Sequence, residues 1–205
     1  MTEKGFEVRG ARGEGALVLA SGSPRRRELL TMLGIKHEVA PADLDEAPIA
    51  GESAEVMTQR LAREKASAVS RKHPGRWVLG ADTTVVIDGE ILGKPDSPAD
   101  AERMIARLAG RSHDVFTAIA LVCDGRVLEA LDVTKVTFRV VSTEMIRAYV
   151  ATGEPLDKAG AYGAQGYGAA LIERIEGDFF GVMGLPLRLV VQLLDEAGRP
   201  YTFGA

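Results

Sequence analysis

The sequence predicts an α/β fold whose sheet is substantial and partly antiparallel. Short apolar runs that suit strands alternate along most of the chain with segments whose apolar residues recur at helical spacing. Two dipeptides, Asp88-Gly89 and Asp124-Gly125, each separate two strand-like segments and are strong signals for tight hairpins. Because a two-residue hairpin joins antiparallel strands, the sheet is not expected to be purely parallel.

The predicted elements follow one another with short connections. Those of the first half are a buried strand at 16–20, a helix at 24–33, an extended segment at 35–39, an acidic loop at 42–46, a long helix after 53, an apolar run at 77–81 that continues into 85–87, a return strand at 90–92 and a helix at 98–110. Those of the second half are strands across 113–141, a helix at 143–151, a glycine-rich non-helical segment at 154–168, a strand at 169–175, a loop at 181–184 and a helix at 186–196.

Composition narrows the class of protein. The 205 residues suffice for one large domain or two small lobes, and we expect a loose tail at 1–15 followed by a folded domain at 16–205. A net charge of −4 argues against a nucleic-acid polymer or an anionic membrane as partner. No apolar run reaches the ~18 residues of a membrane span. The single cysteine, Cys123, excludes an internal disulfide and fits a reducing cytoplasm.

An anion site is predicted where the first strand meets the first helix. Ser23 suits the N-cap and Pro24 the first helical position, and arginines follow at once in Arg25-Arg26-Arg27. Cations are unusual there, because the helix N-terminus already carries partial positive charge. Free amides, serine hydroxyls and arginines would together bind a phosphate. The alternative is a capped surface helix with solvated arginines.

Four further residues are candidates for chemistry. Asp82 ends an apolar run, where a carboxylate is costly unless it is paired, metal-bound or functional; the alternative is a turn aspartate. Glu46 lies in an acidic loop that could hold a hard cation or be merely solvated. Lys94 lies on a stiff Gly-Lys-Pro loop and Lys65 on a charged helix, and both could be plain surface lysines.

The glycine-rich segment 154–168 is harder to explain as a plain linker. Four glycines between Asp157 and Gly168 suggest positive φ angles or close approach of the backbone to a ligand. Within it Gln165 carries donors and an acceptor suited to a base edge. No phosphate-loop, dinucleotide-binding, zinc-protease or serine-hydrolase motif is present, and the three histidines are dispersed, with His113 expected to be structural.

Seven sequence blocks, in order and at matching spacing, closely resemble the Maf family from about Leu17 to the last helix. They are Ser21-Gly22-Ser23-Pro24-Arg25-Arg26, Asp45-Glu46, Leu61-Ala62-Arg63-Glu64-Lys65-Ala66, Gly80-Ala81-Asp82-Thr83, Gly93-Lys94-Pro95, Asp157-Lys158-Ala159-Gly160-Ala161-Tyr162-Gly163 and Gly184-Leu185-Pro186. The resemblance implies an elongated mixed-sheet fold similar to inosine triphosphate pyrophosphatases, with helices packed on the sheet and a cleft between two lobes. It also implies cleavage of nucleoside triphosphates to the monophosphate and pyrophosphate.

The resemblance also implies roles for single residues. Asp82 matches the proton acceptor and Glu46 its acidic partner, and the two would hold a divalent cation, Mg²⁺ or Mn²⁺. The residues that match the phosphate-binding group are Ser21, Ser23, Arg25, Arg26, Lys65 and Lys94. Those that resemble the specificity set of the dTTP/UTP branch are Arg25, Thr83 and Gln165. Ala164 and Gly181 depart from the usual isoleucine and asparagine without touching these charged groups.

The family resemblance leaves two alternatives open. One is a nucleotide-binding inhibitor of septum formation and cell division that does not hydrolyse its ligand. The other is a pyrophosphatase for modified pyrimidine nucleotides. The family further suggests a homodimer.

Overall fold

The computed structural model describes residues 15–203, so most of the predicted tail lies outside the described residues. The described chain divides into two compact units. The first comprises residues 15–82, 117–131 and 184–203, and the second comprises residues 83–116 and 132–183. Between residues 15 and 203, no helix is long and apolar enough to cross a membrane.

Seven strands form one mixed sheet, which confirms the predicted α/β class. The strands are β1 (Leu17–Leu19), β2 (His37–Val39), β3 (Val78–Ile87), β4 (Glu90–Leu92), β5 (Ser112–Cys123), β6 (Arg126–Phe138) and β7 (Ile172–Glu176). Their order is β2-β1-β3-β5-β6-β7, with β4 also paired to β3. The β1 strand runs parallel to β2 and β3, whereas the β3–β4 and β6–β7 pairs are antiparallel. Both Asp-Gly turns have two consecutive positive φ angles, as a tight hairpin requires.

Six α-helices accompany the sheet in the described chain. They are α1 (Pro24–Met32), α2 (Ala54–Ser70), α3 (Pro98–Leu108), α4 (Thr143–Ala151), α5 (Phe179–Val182) and α6 (Leu187–Glu196). Serine side chains cap the first four: Ser23, Ser53, Ser97 and Ser142 each accept a hydrogen bond from a backbone amide of the first turn. These local signals explain why the helix starts were predictable.

Gly80 lets α2 pack directly against β3 in the first unit. A Cβ at Gly80 would lie 2.3 Å from the carbonyl oxygen of Ala62 and 2.7 Å from the amide nitrogen of Ala66, both in the backbone of α2. Only glycine therefore permits this contact, around which Val18, Val78 and other small apolar side chains form a buried cluster.

His113 belongs to the core of the second unit, as the predicted structural role requires. Its ring packs edge-on against Phe138 and Tyr162, and its Nε2 lies 2.8 Å from the Tyr162 hydroxyl. Burial lowers the pKa of His113 to about 4, so the ring is neutral at pH 7.

Two local expectations were wrong. Residues 167–171 form a 3-10 turn, so β7 begins at Ile172 and not at Ala169. Phe179–Val182 form a short helix capped by Asp178, which includes the first two residues of the loop expected at 181–184. The glycine-rich segment also contains 3-10 turns at Glu154–Asp157 and Ala159–Ala161. Tertiary contacts, described below for Glu154, determine these conformations more than the local sequence does.

Candidate active site

The turn between β1 and α1 brings together the serines and Arg26 for which an anion site is predicted. The Ser21 hydroxyl oxygen accepts hydrogen bonds from the Ser23 amide at 3.2 Å and from Arg26 Nη1 at 3.1 Å. Arg26 also donates through Nε to the Gly184 carbonyl at 2.8 Å, so its guanidinium is held against the turn. Arg25 is half-buried, whereas Arg27 is exposed, as expected for a merely solvated residue.

A buried lysine connects the two predicted acidic residues. Lys65 Nζ lies 2.7 Å from Asp82 Oδ1 and 2.9 Å from Glu46 Oε1. Lys65 and Asp82 are both more than nine-tenths buried, whereas about half of the Glu46 side chain is exposed. Because both carboxylate oxygens contact one nitrogen, they lie no farther apart than two hydrogen-bond lengths.

Burial has the largest effect on the pKa values of Asp82 and Arg26, and the charges of neighbouring side chains have the next largest effect. Burial raises the pKa of Asp82 above its ordinary value, and the charges of Lys65 and Arg26 only partly offset that increase. Burial likewise lowers the pKa of the Arg26 guanidinium, although the neighbouring Asp82 charge opposes that change. The ionised form of Asp82 is therefore kept by its cationic neighbours and is disfavoured by its location.

The topology explains why these residues meet. In the parallel register Leu19 pairs with Leu79, so Ser21 follows the carboxyl end of β1 and Asp82 lies within β3, three residues beyond that pair. Within the sheet, β1 lies between β2 and β3, so its two successors in the chain pair with its opposite edges. Ligands of open α/β sheets bind at such a reversal of strand order. The contact of α2 at Gly80 then brings Lys65 against Asp82.

The loop that carries Glu46 is fixed by residues that sequence reasoning missed. The Asp45 carboxylate accepts from the Ala47 amide at 3.0 Å, and Arg60 donates to the Ala47 carbonyl at 3.3 Å. Arg60 itself makes a two-point pair with Glu52, at 2.7 and 2.8 Å. The spacing of four residues between Arg60 and Glu64 is a sequence signal for one of its ion pairs, whereas the pair with Glu52 carries no such signal.

The site contains two of the oxygen ligands that a divalent cation needs. Among residues 15–203, no group of three or more histidine, cysteine, aspartate or glutamate side chains could hold a metal ion. Glu46 and Asp82 nevertheless converge on one point, the Lys65 ammonium, which is itself a cation. Magnesium is commonly bound by one or two carboxylates together with substrate phosphates and water, so this donor set fits it.

The other predicted site residues belong to the second unit. Thr83 is a half-buried residue of β3, directly after Asp82 in the chain. Lys94 is exposed on the loop after β4, where the Gly93 carbonyl accepts a hydrogen bond from the Gly160 amide at 3.0 Å. Gln165 is exposed in the glycine-rich segment. The clustered residues of the first unit are therefore Ser21, Ser23, Arg26, Glu46, Lys65 and Asp82.

The chain is similar to one family model and to several known proteins along most of its length. A family model described as "Maf-like protein" matches residues 16–197. The dTTP/UTP pyrophosphatase of Myxococcus xanthus (strain DK1622) is 54% identical over 190 residues, which are 92% of this chain and 96% of that protein. The dTTP/UTP pyrophosphatase of Symbiobacterium thermophilum is 53% identical over 190 residues, which are 92% and 98%.

Among solved structures, a HAM1 protein from Coxiella burnetii aligns with 60% of this chain and 72% of its own. The alignment has a TM-score of 0.42 and 18% identity.

Proposed function

The chain belongs to the Maf family, and we propose that it hydrolyses dTTP and UTP to the nucleoside monophosphate and pyrophosphate. The observation that carries the proposal is the contact of buried Lys65 with both Asp82 and Glu46, beside the serines and Arg26 at the start of α1. The relatives from Myxococcus xanthus and Symbiobacterium thermophilum, at 54% and 53% identity, are both dTTP/UTP pyrophosphatases.

Asp82 is proposed to accept the proton of the attacking water. The water oxygen forms a bond to the α-phosphorus, the bond from that phosphorus to the α–β bridging oxygen breaks, and pyrophosphate leaves with the bond electrons. The water proton passes to the Asp82 carboxylate, whose pKa is already raised by burial toward that of a better base. Lys65 keeps this carboxylate ionised between turnovers through its 2.7 Å contact.

A triphosphate carries about four negative charges, which an acidic protein must bind with a local concentration of positive groups. We assign this task to six residues: Ser21, Ser23, Arg25, Arg26, Lys65 and Lys94. The held guanidinium of Arg26 supports the assignment, because a fixed fork of donors loses little entropy on binding a phosphate. Glu46 and Asp82 would hold Mg²⁺ or Mn²⁺, which when bound polarises the phosphates and stabilises the leaving pyrophosphate.

We further propose that the protein works in the cytoplasm as a homodimer. A single cysteine fits a reducing compartment. The family resemblance is what suggests the dimer, and size-exclusion chromatography with light scattering tests it: a mass of one chain would contradict it.

A nucleotide panel with Mg²⁺ tests the proposed activity. We expect release of pyrophosphate from dTTP and UTP in preference to purine triphosphates. Binding without pyrophosphate release would instead support the non-hydrolysing regulator of cell division. Higher kcat/KM for 5-methyl-UTP or pseudo-UTP than for UTP would favour the pyrophosphatase for modified nucleotides.

Base selection is proposed to depend on Arg25, Thr83 and Gln165. Replacement Gln165→Glu removes the amide donors and adds a negative charge, so it should reduce kcat/KM for dTTP and UTP relative to the other nucleotides by about tenfold or more. The ratio of kcat/KM values across the panel measures this. An unchanged ranking of substrates would exclude Gln165 as a reader of the base.

A further inference from the structure

A carboxylate of the second unit is surrounded by the glycine-rich loop. Glu154 Oε2 accepts a hydrogen bond from the Tyr167 amide at 2.9 Å, and its Oε1 accepts from the Gly168 amide at 2.9 Å. Oε1 also accepts from the Tyr149 hydroxyl at 3.0 Å. The same hydroxyl accepts from the Gly163 amide at 3.2 Å, so both ends of the segment 163–168 are attached to one pair of side chains.

Three glycines allow the loop to close around this carboxylate. A Cβ at Gly166, where φ is +91°, would lie 2.6 Å from Glu154 Oε2, and one at Gly163 would lie 3.3 Å from Oε1. At Gly168 a Cβ would meet the Gly163 carbonyl and the Tyr149 hydroxyl at 2.4 and 2.7 Å. The glycine spacing predicted from sequence as close approach to a ligand is thus explained, at these three positions, by approach to Glu154 and Tyr149.

Glu154 is itself firmly placed. It begins a 3-10 turn directly after α4, and its amide donates to the Thr152 hydroxyl at 3.2 Å. Lys158 donates to the Glu154 carbonyl and, at 2.6 Å, to the Asp157 carboxylate. Tyr149 is a buried residue of α4 within the core of this unit. Because Glu154 follows α4 in the chain and its carboxylate binds the loop amides, it fixes the loop relative to α4.

We propose that Glu154 is a positioning residue for substrate selection, which fixes loop 163–168 and thereby the direction of Gln165. Gln165 is exposed, and the loop backbone on both of its sides is attached to Glu154 and Tyr149. An amide that reads a base edge must be held in place, because a displacement of about 1 Å can cost about a hundredfold in rate. The proposal rests on the proposed function, in which Gln165 reads the base.

A carboxylate suits this place better than an amide. Three donors point at its two oxygens, and each oxygen accepts at least one of them. Burial alone would raise the pKa of Glu154, but the hydrogen bonds from Gly168, Tyr167 and Tyr149 outweigh it and lower the pKa. A glutamine would keep the shape and turn its own N–H groups toward one of those donors, which leaves that donor unpaired.

The test is a double-mutant cycle between Glu154→Gln and Gln165→Ala. In the otherwise unchanged enzyme, Glu154→Gln should reduce kcat/KM for dTTP by about tenfold or more, but by no more than Gln165→Ala does alone. In the Gln165→Ala background the same change should cost less than about threefold, because the side chain that Glu154 positions is gone. Equal losses in the two backgrounds would overturn the proposal and would assign Glu154 a general structural role.

Two further variants keep the test decisive. Glu173→Gln, at an exposed position of β7, is the matched control and should leave kcat/KM unchanged. Tyr149→Phe removes one hydroxyl from the attachment and keeps the buried ring, so it should give a smaller loss that also depends on Gln165. If Glu154→Gln does not fold, Tyr149→Phe decides, and a loss independent of Gln165 overturns the proposal.

Amide hydrogen exchange separates this proposal from the proposed function. Glu154→Gln should reduce protection of the Tyr167 and Gly168 amides by about tenfold or more, with no change in α2. Unchanged protection would overturn the placement whatever the substrate is. Absence of dTTP and UTP hydrolysis by the unaltered protein, with this protection present, would contradict the proposed function and the role of Gln165 while leaving the attachment of the loop established.

Discussion

Asp82 and Glu154 are carboxylates in the two units with opposite electrostatic surroundings. Asp82 is buried beside side-chain charges, and burial raises its pKa in spite of Lys65. Glu154 is less buried, and backbone amides with a hydroxyl lower its pKa in spite of partial burial. The fold therefore disfavours the charge at Asp82 and favours the charge at Glu154.

This difference matches the roles proposed for the two residues, a proton acceptor for Asp82 and a positioning residue for Glu154. A proton acceptor benefits from a raised pKa, and a fold that places one loses some stability by ionising it. A carboxylate that fixes a loop benefits from donors that do not titrate, such as the amides of Tyr167 and Gly168. Neutralising the two groups should consequently have opposite effects on stability and unequal effects on turnover.

Replacement Asp82→Asn should have the largest effect. It removes the proton acceptor, so kcat should fall by about a thousandfold or more, while nucleotide binding is kept. The melting temperature at pH 7 should be unchanged or higher, because the new amide oxygen can still accept from Lys65, Lys65 keeps its ion pair with Glu46, and the carboxylate charge no longer has to be buried.

Pyrophosphate release and thermal unfolding measure these two expectations. The control is Asp88→Asn, which removes an exposed carboxylate that also contacts an arginine, Arg111, at 2.6 Å. That change should leave both quantities nearly unaltered, since exposed ion pairs contribute little. Full turnover by Asp82→Asn would contradict its role as the base, and a clearly lowered melting temperature would contradict the electrostatic comparison.

Much of the fold could be predicted because local chemistry decides it. Ser23 and Pro24 mark the start of α1, and Asp88-Gly89 and Asp124-Gly125 mark hairpins, since these residues act on their own backbone. The conformation at 163–171 could not be predicted, because it depends on Glu154, which precedes it by nine residues or more and meets it only in the folded chain. That is why the strand was expected to begin too early.

The site shows the same division. The turn that is proposed to bind an anion is formed by adjacent residues, whereas the pairing of Lys65 with Asp82 requires α2 to lie on β3. Helix periodicity alone predicts that Lys65 lies on a charged, exposed face of α2, and only the family resemblance assigned it to the site. Gly80 carried the missing information, because a glycine inside an apolar strand indicates close approach by another backbone.

Replacement Gly80→Ala should have the next largest effect and should act on the Asp82 side of the comparison only. The added methyl meets the backbone of α2 at 2.3 Å, which no side-chain rotation relieves. We expect a loss of about 1–3 kcal/mol in the free energy of unfolding, together with a fall in kcat as Lys65 moves away from Asp82. Chemical denaturation and pyrophosphate release measure the two.

Gly15→Ala is the matched control, because its added methyl would meet only Arg76 Nε, at an ordinary 3.6 Å. Hydrogen exchange at the Tyr167 and Gly168 amides should not change in the Gly80→Ala variant. If those amides lost protection as well, the surroundings of Asp82 and Glu154 would be coupled and the two carboxylates would not be independent.

The pH dependence of stability should give the smallest and most discriminating effect. The lowered pKa of Glu154 contributes stability that is complete above the ordinary value of 4.5 and is lost as the pH falls through the folded-state pKa. The advantage of the unaltered protein over Glu154→Gln, about 1 kcal/mol or about 3 °C in melting temperature, should therefore shrink on acidification.

For Asp82 the sign reverses. Its pKa in the folded chain lies above the ordinary 3.8, so its ionisation lowers stability as the pH rises through the folded-state value. Any advantage of Asp82→Asn over the unaltered protein should accordingly grow from acid toward neutral pH, while the deficit of Glu154→Gln should also grow over the same range, so the two variants diverge. Parallel pH profiles for the two variants would show that burial does not outweigh Lys65 at Asp82, and the proton acceptor would then have to be activated by a bound cation instead of by its location.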